Sequence, residues 1–169
     1  MVIHLNSVSA SLRARQALGM WIDDLGVDQN TRDELRRLAE VHETSRGNAA
    51  AAFEAYYAAL EEDASDSQTA DDMERLAVVL QRAGDAQVWS RLADLFGARA
   101  SSTGDSADTA TLYLRLAKIA ERELGDDIRA IEALTRAVDH DSNPRPLLGD
   151  LDRLYERTEQ WPALAKTLE

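Results

Sequence analysis

A block of sequence near residue 37 returns 78 residues later, and no other feature constrains the fold as strongly. Arg37-Leu38-Ala39 recurs as Arg115-Leu116-Ala117. At the same offset Glu43 falls on Glu121, Gly47 on Gly125, Ala52 on Ala130 and Glu54-Ala55 on Glu132-Ala133. Ala59 falls on Ala137, Asp63 on Asp141, Asp72 on Asp150, and Arg75-Leu76 on Arg153-Leu154. Without a gap, 13 of the 40 positions from 37 to 76 are identical. Several of the others exchange one apolar residue for another, as Val41 for Ile119, Phe53 for Ile131 and Met73 for Leu151. An internal period of this kind marks stacked-repeat architectures, in which each unit leaves an apolar face that only its neighbour can bury.

The apolar spacing within each copy is helical. Leu35, Leu38, Ala39 and His42 share one face at i, i+3, i+4, i+7. Thr31 followed by Glu34 reads as a capping box at the start of that helix. Gly47 stops it, and Asn48 caps the next, which carries Phe53, Tyr56 or Tyr57, and Leu60 inward. Met73, Leu76, Ala77 and Leu80 form a third stripe, ended near Gly84, and Val88, Leu92, Leu95 and Phe96 a fourth. After the linker-like stretch Ser101 to Ser106 the pattern begins again with Leu112, Tyr113, Leu116, Ala117, Ile119, Ala120 and Leu124. Gly125-Asp126 makes a tight turn, Ala130, Ile131, Leu134, Ala137 and Val138 face inward, and Asn143-Pro144 makes a bend. Leu147, Leu151, Leu154 and Tyr155 follow, then Trp161, Leu164, Ala165 and Leu168. No stretch alternates strictly enough to suggest a strand. With a further helix over Ala14, Leu18, Trp21, Ile22 and Leu25, closed by Gly26 and lacking a counterpart in the repeat, the spacing predicts about nine helices. Short turns make neighbouring helices antiparallel. The expected organisation is a capping extension over 1–30 and two copies of a four-helix unit, about 31–100 and 108–169, the second truncated.

Gly125-Asp126, Ala130-Ile131-Glu132-Ala133-Leu134, Ala137-Val138 and Asp141 resemble the second half of a tetratricopeptide repeat, and Gly47, Ala52, Phe53, Ala55, Tyr56, Ala59 and Leu60 match the same pattern. The resemblance covers roughly residues 31 to 169. It departs from the family in several ways: seven residues, one more than usual, separate Leu116-Ala117 from the turn glycine, the proline after the second helix is displaced to Pro144 and absent from copy one, and the hairpin units from 71 to 100 and from 146 to 169 match weakly. The resemblance implies an all-α fold, a right-handed superhelix of antiparallel hairpins. It also implies a concave face that binds peptides or helices of partner proteins, and no catalytic activity or cofactor. The helices near 33–44 and 111–122 would line that groove. Arg36, Arg37, Glu40, Arg115, Lys118 and Arg122 are then the candidate partner-binding residues. Arg115, Lys118 and Arg122, at i, i+3, i+7, make a basic stripe suited to an acidic peptide or a free carboxylate.

Charge and chemistry narrow the alternatives. The net charge of -12, from 31 acids and 19 bases, disfavours nucleic acid and anionic membrane as partners. The absence of cysteine removes disulfides, thiolate metal sites and thiol nucleophiles. His4, His42 and His140 are the only histidines, and none has a second at i+3 or i+4. His42 reads as a core or boundary residue, and His140 as a cation favoured by a helix C-terminus. Asp63 to Glu74 places oxygen-bearing side chains at several positions of a calcium loop, but Gln68 stands where the sharp bend needs glycine. No metal site or catalytic constellation follows. The start of the chain lacks a signal-peptide pattern and no apolar run would span a membrane, so cytoplasm is the expected location. The final helix runs to Glu169 without a stop, which suggests a piece of a longer protein, or self-association through that uncapped end. The function expected is a non-catalytic interaction module. The alternative is a structural or regulatory arm of a larger, possibly enzymatic, protein.

Overall fold

A computed structural model of the chain describes residues 29–44, 47–103 and 106–162. Every regular element among them is helical. Seven α-helices are present: α1 (Gln29–Thr44), α2 (Ala49–Glu62), α3 (Ser67–Arg82), α4 (Val88–Ser102), α5 (Ser106–Ile119), α6 (Asp127–His140) and α7 (Arg145–Arg157). A π-helical turn, Ala120–Leu124, continues α5. The helix expected over 14–25 lies outside the described residues, as does the one expected from Trp161, apart from Trp161 and Pro162. None of the described helices is long and apolar enough to cross a membrane.

The chain divides into two compact units between Val88 and Trp89. In the first, α1 packs on α2 and α2 on α3; in the second, α5 packs on α6 and α6 on α7. The repeat explains why both copies turn alike. Gly47 and Gly125 adopt left-handed backbone, φ +58° and +64°, a conformation that costs residues with a Cβ. The next amide reaches back six residues, Asn48 N–H to the His42 carbonyl at 2.9 Å and Asp126 N–H to the Ala120 carbonyl at 2.8 Å. This closure reaches one residue further than the bond of an ordinary Schellman cap. The same two residues then cap the following helix, Asn48 Oδ1 accepting from the Ala51 amide (3.0 Å) and Asp126 Oδ1 from the Arg129 amide (2.9 Å). Asp63 and Asp141 end those helices in matching turns, accepting from the amides of Ser65 (3.0 Å) and Asn143 (2.8 Å).

Small residues let the paired helices approach. Ala52, Ala59, Ala130 and Ala137 are completely buried, and Ala55 and Ala133 nearly so. The expected inward stripes are buried for the most part, including Phe53, Leu60, Met73, Leu76, Leu92, Phe96, Leu112 and Leu154, while Leu38, His42 and Leu124 are half-buried.

Two expectations need correction. Thr31 does not cap a helix, since α1 already begins at Gln29. Its counterpart Thr109 likewise lies within α5, which begins at Ser106, so the helix start in both copies precedes the threonine. Val138, expected inward, is only half-buried. The long spacing from Leu116-Ala117 to Gly125 has a structural expression in the π turn, which takes up one residue more per hydrogen-bonded ring than an α turn.

Candidate functional site

Three of the identities shared by the two copies meet in space. In the first unit Arg75, on α3, donates from both terminal nitrogens to Glu43, at the end of α1, with Nη2 to Oε2 at 2.9 Å. Nη2 also donates to Asp72 Oδ1 one turn earlier, at 3.0 Å. In the second unit Arg153, on α7, donates in the same way to Glu121 in the π turn, Nη2 to Oε2 at 2.9 Å, and reaches Asp150 Oδ1 at 3.4 Å. The sequence showed these positions as repeated; it gave no sign that they form one clasp, because the partners lie 32 residues apart. A planar guanidinium fits a carboxylate bidentately, which fixes geometry as well as charge.

The two clasps differ in their surroundings. Arg157 joins the second, donating to Glu121 Oε1 at 3.0 Å and through Nε to Asp127 Oδ2 at 2.8 Å. The hydrogen bond from Arg153, followed by the attraction of both arginines, holds the Glu121 carboxyl below the usual glutamate range. The first unit has Val79 and Ala49 at the equivalents of Arg157 and Asp127, so this branch is missing there. Its clasp instead borders Tyr56, buried on α2. Burial, then the charges of Asp72, Glu40 and Glu43, push that phenol up to about 12, with Arg75 acting in the opposite sense.

The candidate partner-binding residues fall into different settings. Arg36 is half-buried and pairs with Asp66 at 3.3 Å. Arg37 and Glu40 are exposed on α1. Arg115 is half-buried, whereas Lys118 and Arg122 are exposed. Arg122 lies inside the π turn.

The residues of the calcium-loop likeness serve as turn and cap groups. Asp63 binds the Ser65 amide and hydroxyl through Oδ1 and pairs with Arg32 through Oδ2, while Asp66 caps α3 through the Thr69 amide at 3.1 Å. The hydrogen bond from the Ser65 hydroxyl, assisted by Arg32, lowers the Asp63 pKa. Among the described residues no cluster of His, Asp and Glu could hold a metal ion.

One cluster in the second unit had no clear sequence signal. Tyr113, buried on α5, has the His140 ring stacked at 6.3 Å between centroids and the Arg136 guanidinium 5.9 Å from its own centroid. Arg136 and His140 are one turn apart on exposed positions of α6. Their counterparts in the first copy are Ala58 and Glu62, and Leu35 replaces Tyr113, so this grouping is private to copy two. The arrangement offers cation and aromatic contact rather than proton transfer.

No family model matches this chain, and no characterised protein matches it.

Proposed function

We propose that the chain is a non-catalytic protein-interaction module, its hairpins stacked in a right-handed superhelix of the tetratricopeptide type, and that it binds an acidic peptide or helix of a partner protein. The observation that carries this reading is where the repeated residues are used. Glycine turns, small helix-contact alanines, turn aspartates, the buried Leu76/Leu154 and the Glu–Arg–Asp clasp account for all the identities except Arg37/Arg115, Leu38/Leu116 and Glu54/Glu132. The frame is held constant while the exposed positions vary. That division suits a scaffold whose surfaces are specialised separately. The exposed cations Lys118 and Arg122 supply charge attraction for acidic groups, within a chain whose net negative charge disfavours unspecific binding to polyanions.

The test is affinity capture from the native source with the whole chain and with Lys118→Glu/Arg122→Glu, followed by titration of the captured partner's acidic segment as a synthetic peptide. The reading expects micromolar-class binding that weakens at least about tenfold in the variant and with added salt. Equal binding by parent and variant would move the site elsewhere, and turnover of a substrate by the isolated chain would overturn the non-catalytic reading.

A further inference from the structure

The two copies carry opposite charge beside the clasp. In the first unit α1 and α3 run side by side in one direction: Arg36 meets Asp66 at the start of α3 at 3.3 Å, and Glu43 meets Arg75 further along both helices. Arg36, Glu40 and Glu43 are spaced i, i+4, i+7, so Glu40 stands in the same row, between those contacts, and faces the first turns of α3. The raised pKa of Tyr56 agrees, since the charges of Asp72, Glu40 and Glu43 act on that phenol together. One turn before Arg75, Asp71 is exposed on α3. The strip between the two helices is therefore acidic.

The second unit keeps the frame and reverses the strip. Lys118 stands at the position of Glu40, Arg122 at that of Thr44 and Gly149 at that of Asp71. Glu40 and Asp71 give these three positions a charge of -2 in the first copy, and Lys118 and Arg122 give +2 in the second. Two other charge changes along these helices are compensated internally. The Arg36–Asp66 pair gives way to Leu114 and Pro144, and Val79 and Ala49 give way to the Arg157–Asp127 pair. The change at Lys118 and Arg122 is not: both are exposed, and neither is ion-paired among the described residues. Gly149 adds room. It lies in the interior of α7, where glycine weakens a helix. Its backbone has no positive φ to require glycine, and nothing lies within 4 Å of where its Cβ would be. The fold has no use for the missing side chain, whereas a backbone crossing α7 from outside does.

Building on the reading of the chain as an acid-binding interaction module, we infer that the strip between α5 and α7 of the second unit holds an acidic segment of a partner protein. A carboxylate of the segment meets Lys118, with Arg122 one turn further on, and the segment's backbone crosses α7 over Gly149. The first unit, with Glu40 and Asp71 in those places, repels the same segment. Asp150 does not compete for Lys118, because it is turned to Arg153 as Asp72 is to Arg75. One frame thus carries a binding strip in one copy and its charge-reversed counterpart in the other.

Fluorescence anisotropy of a labelled hexaglutamate peptide, titrated at low salt with the whole 169-residue chain, tests this. Lys118→Glu should weaken binding at least about tenfold, and Gly149→Leu, which changes no charge, at least about threefold. Thermal melts of both variants no lower than the parent's would separate lost binding from lost folding. Glu40→Lys with Asp71→Gly should add a second equivalent of bound peptide by moving the strip into the first unit. Unchanged affinity in Gly149→Leu, or no added binding in the altered first unit, would overturn the strip while leaving the interaction-module reading standing. Failure of the parent to bind the peptide would overturn both. Self-association that Lys118→Glu abolishes would also overturn the strip as a partner site, giving it to the acidic Glu40–Asp71 face of a second copy.

Discussion

Arg75 holds Glu43 with both guanidinium nitrogens across 32 residues of chain, tying the third described helix to the end of the first. The neighbouring helix is connected to α1 by only a short turn, so its position follows from chain connectivity. The link from α1 to α3 does not, and this pair supplies it. Half-exposed ion pairs are individually weak, typically about 0.2–1 kcal/mol, but a bidentate pair sharing Asp72 stands at the upper end of that range. A double-mutant cycle of Glu43→Gln and Arg75→Ala, followed by urea denaturation, should give a coupling of about 0.5–1 kcal/mol that shrinks in high salt. Zero coupling would reduce the clasp to a geometric coincidence.

The second unit's clasp makes acid stability depend on Glu121. Its folded pKa lies below its unfolded value, so its contribution is complete above the ordinary glutamate value of 4.5 and is lost as pH falls through the folded pKa. Glu121→Gln should therefore lower stability at neutral pH and flatten the decline below about pH 4.5. Denaturant midpoints measured from pH 3 to 7 would check this. Parallel pH curves for the two proteins would contradict it.

Tyr56 governs the alkaline side. Its folded pKa, about 12, lies above its unfolded value of 10. The unfolded chain then releases the phenolic proton first, so the stabilising term is full below pH 10 and disappears as pH rises through the folded pKa. Spectrophotometric titration should show a tyrosine ionising late, and Tyr56→Phe should remove it and reduce the loss of stability between about pH 10 and 12. A phenolate signal at ordinary pH would mean that the ring is hydrated.

Two glycines should respond to alanine with opposite signs. Gly125 is left-handed, so Gly125→Ala should cost about 1 kcal/mol even though nothing lies where its Cβ would go. Gly149 sits in the interior of α7 with open space around it, so Gly149→Ala should stabilise by about 0.5–1 kcal/mol. Thermal melts of the two variants would decide the matter, and a shift in the same direction would refute the backbone account.

The missing branch of the first clasp can be installed. Val79→Arg with Ala49→Asp places in the first unit the residues that stand at 157 and 127 in the second. An aspartate at the first turn of α2 also complements the helix dipole. The pair should add about 0.3–0.8 kcal/mol, more than the sum of the single changes. Additive or destabilising behaviour would show that the two units differ in backbone geometry at this point.

Periodicity alone specified a good deal of this protein. Leu35, Met73, Leu92 and Leu154 had to be buried because their spacing leaves no other apolar face, and Gly47 and Gly125 had to terminate helices because positive φ is cheap only without a Cβ. Asn48 and Asp126 could be assigned as caps for a similarly local reason. These features depend on residues within one or two turns of each other, which is the range over which sequence reports structure directly.

Tertiary structure decided what depends on residues far apart in the chain. It brought Glu43 to Arg75 and Glu121 to Arg153, stacked His140 on Tyr113, and engaged Arg36 with Asp66 while leaving Lys118 and Arg122 exposed. It also expressed the long spacing before Gly125 as a π turn, which holds Arg122. Sequence lists charges without their distances. Helix packing sets those distances, and so decides which charges are neutralised within the frame and which face outward.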